Sequence, residues 1–581
     1  MKPSYLIALR PEGPGGAGLT EDLHVRTGLP VRFNHPRAAV LASPDCPVLP
    51  LAGEGAILGA LFHRHGPARR IDALAPDEAA GLLEGRGARL LKSCWGGYVA
   101  LLCGPGPPRV LRDPSGALPC YVARLGPAPL FASDAALLCT AARLRPVVDW
   151  PALARHLHAN GLPVAETALE GVGELLAGFA RDGDETAPCW SPWNHVASAL
   201  PPDPVQLAER LARCVTACVG AWTAPFPRLL LSVSGGLDSS IVAACLAGTT
   251  HEIRCLTMYS DDPRGDERPY ARALCAALGL SLRETRYDRG DVDIAEPLNA
   301  HLPRPVGRTQ ALAYERAHLV AARAYGIDAF VTGHGGDNVF AHSQSASPIV
   351  DRYLREGLGT GLFHTLVDTC RLTGCGPLDA ARRALHLRRR WPRPYRWHVS
   401  PDLLHPDLLA GLGATRPGHP WLAPPPGALP GQLAHIAGLL RSQQSLEPMR
   451  AARAPVLHPL LSQPVVELCL AIPSWAWRAG GIDRAVARRA FAGRLPDAIV
   501  SRRVKGGPDG FSAALIHACR APIRERLLGG RLAAQSLVDR AALEAVLAEE
   551  RPMPEDAPVR LQELLVAEAW LDHWLSRDLA S

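Results

Sequence analysis

The stretch Ser234-Gly235-Gly236-Leu237-Asp238-Ser239-Ser240 carries the densest set of anion-holding groups in this 581-residue chain. Two glycines allow a tight turn and three serines bring hydroxyls. Backbone N–H groups in such a turn point at the same place. Asp238 sits among them, where a carboxylate would repel bare phosphate. It fits if a divalent cation lies between Asp238 and the phosphates. The chemistry read here is binding of magnesium pyrophosphate, that is, ATP cleaved between its α and β phosphates. No Gly-Lys-Ser or Gly-Lys-Thr closes the loop, so it is not a Walker A. A second glycine turn, Gly333-His334-Gly335-Gly336-Asp337-Asn338-Val339-Phe340, offers Asp337 as a second magnesium ligand facing Asp238. Its His334 reads either as a proton shuttle near neutral pH or as a structural histidine. A third stretch, Arg502-Arg503-Val504-Lys505-Gly506-Gly507-Pro508-Asp509-Gly510, puts Lys505 on a glycine-rich loop. A lysine there can cap a site and neutralise charge on an acyl-adenylate transition state and on leaving pyrophosphate.

These residues need elements to hold them. An apolar run over 229–233 precedes the first loop and good helix formers over 241–247 follow it, which reads as strand, turn, helix. The pattern then predicts strands over 253–259, 282–287 and 328–332, and helices over 268–278 and 310–325. Strands alternating with helices at this spacing imply a doubly wound parallel sheet. Ligands bind at the carboxyl ends of such strands, so the first two loops can converge there. From 351 onward the pattern is helical, and the proline-rich 417–430 reads as a loop crossing the surface. Residues 1–200 read as a separate mixed α/β sandwich, with short strands at 5–9, 56–62, 98–103, 109–112 and 120–124 and helices near 78–83 and 150–158. The polar, Pro- and Trp-rich 180–203 reads as the linker, and a helix begins near Val205. No internal repeat is found.

Composition narrows the class. With 47% hydrophobic and 20% charged residues the chain reads as an ordinary soluble globular protein. A net charge of +6 is too mild at this size to argue for nucleic acid. The basic cluster Arg388-Arg389-Arg390, with Trp391, Arg393 and Arg396, is either a solvated surface or a peptide- or phosphate-steering patch. The 15 cysteines form no CxxC pair, which speaks against zinc and for a reducing cytoplasm. No signal-peptide core and no membrane-spanning run are found.

The first loop resembles the PP-loop of N-type ATP pyrophosphatases. With the Gly-x-Gly-x-Asp turn and the late lysine, in that order, the chain resembles the asparagine synthetase family. Trp95-Gly96-Gly97, Asp113-Pro114-Ser115-Gly116 and Ala132-Ser133-Asp134 resemble motifs of that family's N-terminal glutaminase-like domain. The resemblance implies an Ntn-type α/β sandwich at 1–200 and an ATP-dependent synthetase domain with a helical C-terminal part at 204–581. It further implies adenine beside Val233, Met258, Thr332 and Gly333. Asp238 and Asp337 would hold magnesium, and Ser234, Gly235, Gly236, Ser239 and Ser240 would form the pyrophosphate cradle.

Three departures sharpen the expectation. Position 2 is Lys2 and the first cysteine is Cys46, where glutamine-using members carry a nucleophilic cysteine after the initiator methionine. The segment matching the aspartate-binding Glu-x-Arg-x-Pro-Phe-Leu-Asp is Ala451-Ala452-Arg453-Ala454-Pro455-Val456-Leu457-His458, with both acidic ends gone. His334 stands where asparagine synthetases have Glu and β-lactam synthetases Tyr. The stretches 457–464, Gly480-Gly481-Ile482-Asp483-Arg484, 336–340 and His419-Pro420-Trp421 look most like lasso-peptide cyclases. That resemblance implies macrolactam closure in a lasso precursor peptide, with a leader peptidase and a leader-recognition protein as partners and no nucleic acid or membrane. β-Lactam synthetase-like closure of a small amino acid and ammonia-dependent asparagine synthesis are the alternatives.

Overall fold

The computed structural model describes residues 3–576 except 12–17, 160, 197–199, 202, 413–416, 505, 549–552 and 555. The N-terminal half builds two six-stranded sheets. One centres on Tyr5–Leu9, paired antiparallel with Ala38–Ala42 and Ala128–Ala132. The other centres on Cys94–Leu102, paired antiparallel with Gly55–His63 and Arg109–Arg112. Both central strands are buried throughout, and their side chains alternate between two apolar faces. Tyr5, Ile7 and Leu9 share a core with Val99 and Leu101 of the other sheet. Leu6 and Ala8 pack on Leu138 and Leu153 of two helices, and Tyr98 and Ala100 on Leu82 and Leu90. The layers are therefore helix, sheet, sheet, helix.

Family-like motifs of this half serve as joints. Asp113 is fully buried and accepts from the backbone of Tyr98 at 3.0 Å and of Ser115 at 2.7 Å. Ser133 accepts from the Tyr5 backbone at 3.1 Å, and Asp134 caps helix Ala135–Ala142.

The 180–203 segment is not a linker. Phe179–Asp182 and Glu185–Pro188 form an antiparallel hairpin at the edge of the second sheet, turning at Gly183 with φ 60°. The Asp-Gly pair is the turn cue, because glycine adopts positive φ without strain. Trp190 and Trp193 are buried, and Trp193 donates to the Trp421 carbonyl at 2.9 Å. Residues 417–430 do not simply cross the surface either. His419, Trp421 and Leu422 are buried, and the Trp421 ring meets Trp190 edge-on at 5.3 Å. The aromatic content outweighs the prolines, since burying such rings gains far more than a flexible loop loses.

The C-terminal half holds a five-stranded parallel sheet. Across it lie Ser281–Arg286, Glu252–Tyr259, Arg228–Ser232, Ala329–Val331 and Val456–Leu457. The first three strands add in one direction and the last two in the other. The order reverses between Arg228–Ser232 and Ala329–Val331, where both glycine turns leave the sheet. That is the topological switch point, where open α/β sheets bind ligands. The fifth strand falls inside the region read as helical, because two residues give no periodicity to read. Helix Pro204–Thr223 leads into the sheet with Leu207, Leu211, Val215 and Val219 buried. One apolar core runs from Tyr5 in the first half to Ile499 in the second. Arg388, Arg389 and Arg390 are exposed in the last turn of helix Pro377–Arg390, where cations complement the helix dipole. Among the described residues no helix is long and apolar enough to cross a membrane.

Candidate functional site

Strand Arg228–Ser232 ends in the turn 233–236, and helix Leu237–Leu246 starts at once. Gly235 has φ +63°, and a Cβ there would lie 2.3 Å from Tyr270 Cβ, so only glycine fits on both counts. The Ser234 hydroxyl accepts from Gly236 N–H at 3.2 Å, and Ser239 donates to the Gly236 carbonyl at 3.3 Å. Ser240 is fully buried and donates to the same carbonyl at 2.8 Å, so its hydroxyl braces the turn from behind. The first N–H groups of the helix have no intrahelical acceptor and face the cavity above the turn.

The second turn lies against the first. A Cβ on Gly333 would sit 2.5 Å from Ser239 N, and one on Gly336 would sit 2.4 Å from Asp238 Cγ. Two glycines thus let the loops touch and bring Asp337 towards Asp238. Both carboxylates converge on one guanidinium. Arg484 Nη1 donates to Asp238 Oδ1 and Oδ2 at 3.2 Å each and to Asp337 Oδ1 at 2.5 Å. Arg484 in turn is held by Asp483 at 2.7 Å, and Asp483 by Arg488 at 2.7 Å. Burial opposes the Asp483 charge, yet His342, Arg484 and Arg488 outweigh it and hold the carboxyl far below its ordinary range. Burial also opposes the Arg484 charge, and Asp238, Asp337 and Asp483 raise its basicity despite that.

A cavity of about 470 Å³ opens over these turns. Its wall includes Val233, Ser234, Gly236, Asp238, Ser239, Met258, Thr332, Gly333 and His334, so the structure brings together most of the residues named from sequence. Gly235, Ser240 and Asp337 do not line it. The volume lies within the range of small-molecule sites. His334 Nε2 donates to the Ser442 carbonyl at 2.9 Å, and its backbone N–H to Thr332 Oγ1 at 3.2 Å. Thr332 donates on to His458 Nδ1 at 2.8 Å, while His458 Nε2 donates to the Leu446 carbonyl at 3.1 Å. Burial pushes the His458 pKa down to about 3, helped by His334, so this ring is neutral. The opposite wall carries a buried ion pair. Arg450 Nη1 donates to Glu315 Oε1, and the Arg450 backbone to Oε2 at 2.8 Å.

The third loop closes the same cavity. Arg502 donates to the Ser234 carbonyl at 3.2 Å and to Glu267 at 2.7 Å, and its guanidinium lies 4.0 Å over the Tyr270 ring. Glu267 also accepts from the Gly506 backbone at 3.1 Å. Glu267 therefore ties both flanks of position 505 to the first turn. Lys505 itself lies outside the described residues.

Sequence reading missed Arg484, Glu267, Arg450 and Glu315 as members of this site. Arg484 stood inside a quoted motif, but nothing in its spacing predicts a partner 246 positions away. Its φ of +51° is a backbone signal that only the fold reveals.

Magnesium fits the donor set. Asp238 and Asp337 supply hard carboxylate oxygens already within reach of one cation, and magnesium completes its sphere with phosphate and water. Among the described residues no group of three or more His, Cys, Asp or Glu could hold a metal ion. When bound, it would neutralise charge on the phosphates.

Residues 206–410 and 443–576 match the family described as asparagine synthase, and the chain belongs to that family. It is also similar to tRNA-specific 2-thiouridylase MnmA of Chloroflexus aurantiacus, 32% identical over 123 residues covering 18% of this chain and 34% of that protein. The same protein of Roseiflexus castenholzii is 31% identical over 143 residues, 21% of this chain and 38% of its own. The chain thus spans about a third of the length of the curated relatives it matches. A solved structure titled as the allosteric regulatory enzyme of purine biosynthesis covers 49% of this chain and 80% of its own. Its TM-score of 0.20 and 8% identity carry no argument. Membership of the asparagine synthase family supports use of ATP.

Proposed function

We propose that the protein is an ATP- and magnesium-dependent amide ligase that closes a macrolactam ring in a lasso precursor peptide. A side-chain carboxylate of an Asp or Glu in the peptide attacks the α-phosphate of ATP and pyrophosphate leaves. The peptide's freed N-terminal amine then attacks the acyl carbon, giving an isopeptide bond and AMP. Ser234, Gly236 and Ser239 would cradle the pyrophosphate end, and Asp238 and Asp337 would hold the magnesium. Lys505 would meet the charge developing on the leaving group. Val233, Met258, Thr332 and Gly333 would flank the adenine. His334 would orient or relay a proton for the amine. The enzyme supplies mainly positioning.

The observation that carries this reading is the neighbour of the nucleotide cavity. A cleft of about 800 Å³ lies between the two halves, walled by Phe62, Leu118, Trp222, Phe226, Val456 and Leu461. His458 lines both cavities, so a carboxylate held in the cleft can reach the phosphates past it. The cleft is larger than the nucleotide cavity and largely apolar, which suits a peptide better than a free zwitterionic amino acid. The neutral His458 and Ala451 occupy the two ends where an aspartate-binding segment would carry acids.

The amine source is internal on this reading. Burial pushes the thiols of Cys46, Cys120 and Cys189 up to about 12 and those of Cys94 and Cys103 up to about 11. None of these is a thiolate nucleophile for glutamine at neutral pH. A leader peptidase and a leader-recognition protein would deliver the peptide in the cytoplasm.

The test supplies ATP, magnesium and leader-free core peptide and follows peptide mass. Loss of one water with a new isopeptide bond is expected. Pyrophosphate release with small β-amino acids and none with peptide would move the assignment to a β-lactam-forming enzyme.

A further inference from the structure

Two carboxylates from separate turns face one point, and that point holds a guanidinium nitrogen. Asp238 and Asp337 repel each other across a partly desolvated gap, and Arg484 Nη1 relieves that by donating to both. The arginine is not free to leave. Its Nε is pinned to Asp483 at 2.7 Å, and Asp483 is fixed by Arg488 and by His342 Nδ1 at 3.3 Å. Arg488 also donates to the Asp483 carbonyl at 2.8 Å and to the Val500 carbonyl at 2.6 Å, anchoring the whole unit to the loop before 502. Only the far end of the Arg484 guanidinium can swing.

We infer that Arg484 is a positioning residue with two successive partners: the Asp238–Asp337 pair before nucleotide binds, and the β and γ phosphates afterwards. A divalent cation taking the two carboxylates displaces the Nη end from them. Tethered at Nε, that end stays in the wall of the same cavity, which Arg484 lines. A guanidinium there is suited to donate two parallel N–H bonds to phosphate oxygens. The exchange keeps the carboxylates preformed without a metal, and it returns a cation to pyrophosphate as charge collects on it. The inference needs only the nucleotide site, and holds whether or not the acyl substrate is a peptide.

Two binding measurements on the full chain test it, neither needing turnover. In Arg484→Met, which keeps the stem and removes the charge, Mn²⁺ alone should bind at least about tenfold more tightly by electron paramagnetic resonance, because its competitor is gone. Magnesium pyrophosphate should bind at least about tenfold more weakly by calorimetry, because a charge-assisted contact is lost. Arg484→Lys keeps the charge and should leave Mn²⁺ affinity within about threefold of the wild type. Asp483→Asn unpins the arginine and should weaken pyrophosphate binding with the guanidinium intact, which guards against misfolding of the first variant. Unchanged or weaker Mn²⁺ binding in Arg484→Met, or unchanged pyrophosphate binding, overturns the inference.

Discussion

Gly336→Ala is expected to lower pyrophosphate release roughly a hundredfold to a thousandfold while leaving the fold intact. Local propensity predicts the opposite. Gly336 opens a short helical turn with ordinary backbone angles, where alanine is normally favoured by about 1 kcal/mol. The obstacle is the neighbour: the new Cβ would lie 2.4 Å from Asp238 Cγ and 2.7 Å from its Oδ1. Asp238 Cβ would also lie 2.5 Å away, so Asp238 has to shift as a whole, and the divalent cation loses an oxygen aimed at the phosphates. Asp238→Ala should cost at least as much. The double variant Asp238→Ala/Gly336→Ala should be no slower than Asp238→Ala alone, since both act through one carboxylate. It should melt about as low as Gly336→Ala, because the Cβ that alanine keeps at 238 still lies 2.5 Å from the new one. Steady-state pyrophosphate release and a thermal melt on the three variants check this. A Gly336→Ala protein with wild-type turnover removes Asp238 from the chemistry.

The second large effect is acid lability. Burial depresses the pKa of His156, His419 and His435 to about 4 and of His318 and His458 to about 3. Each is neutral in the fold and built into a hydrogen bond or a buried contact. His435, for example, donates to the Val339 carbonyl at 2.9 Å, and His318 to the Tyr314 carbonyl at 2.8 Å. In the unfolded chain these rings titrate at about 6.5. A depressed folded value means the stability is present above about pH 6.5 and is lost as pH falls towards 4. Four buried carboxyls, Asp113, Asp351, Glu315 and Glu568, work the other way, each raised by burial. Burial raises Asp113 to about 6 and Asp351 to about 7, so their protonated forms favour the fold as pH drops through that range. The histidines, with His158 and His195 lowered in the same way, outnumber them, and unfolding takes up protons net near pH 5. From pH 7 to 5 the fold therefore loses stability. Urea midpoints at pH 7, 6 and 5 should fall steadily, and Asp351→Asn should flatten the opposing slope. Equal midpoints at pH 7 and 5 would contradict the buried neutral histidines.

Much of the site was legible because its loops advertise themselves. A turn with two glycines and three serines between an apolar run and helix formers has few other uses, and the βαβ spacing placed its partner loop at the adjacent strand end. What stayed hidden depends on distance in the chain. Arg484 reaches Asp238 and Asp337 only because helix Ala485–Phe491 packs on helix Pro204–Thr223, and no periodicity encodes that. Glu315 and Arg450 form a buried pair across 135 positions. The hairpin at 179–188 and the buried Trp421 were obscured by proline and tryptophan, residues that mark turns and cores alike. In the N-terminal part the motifs that resemble a glutaminase-like domain, with Asp113 and Ser133, are ties between strands.

The most direct test of the account is the fate of the nucleotide. With ATP labelled at the α and γ phosphates, magnesium and the acyl substrate, the turn at Ser234–Ser240 should yield AMP and intact pyrophosphate, one of each per amide formed. Release of ADP and inorganic phosphate would contradict it, because Asp238, Asp337 and the serines would then be gripping the wrong bond.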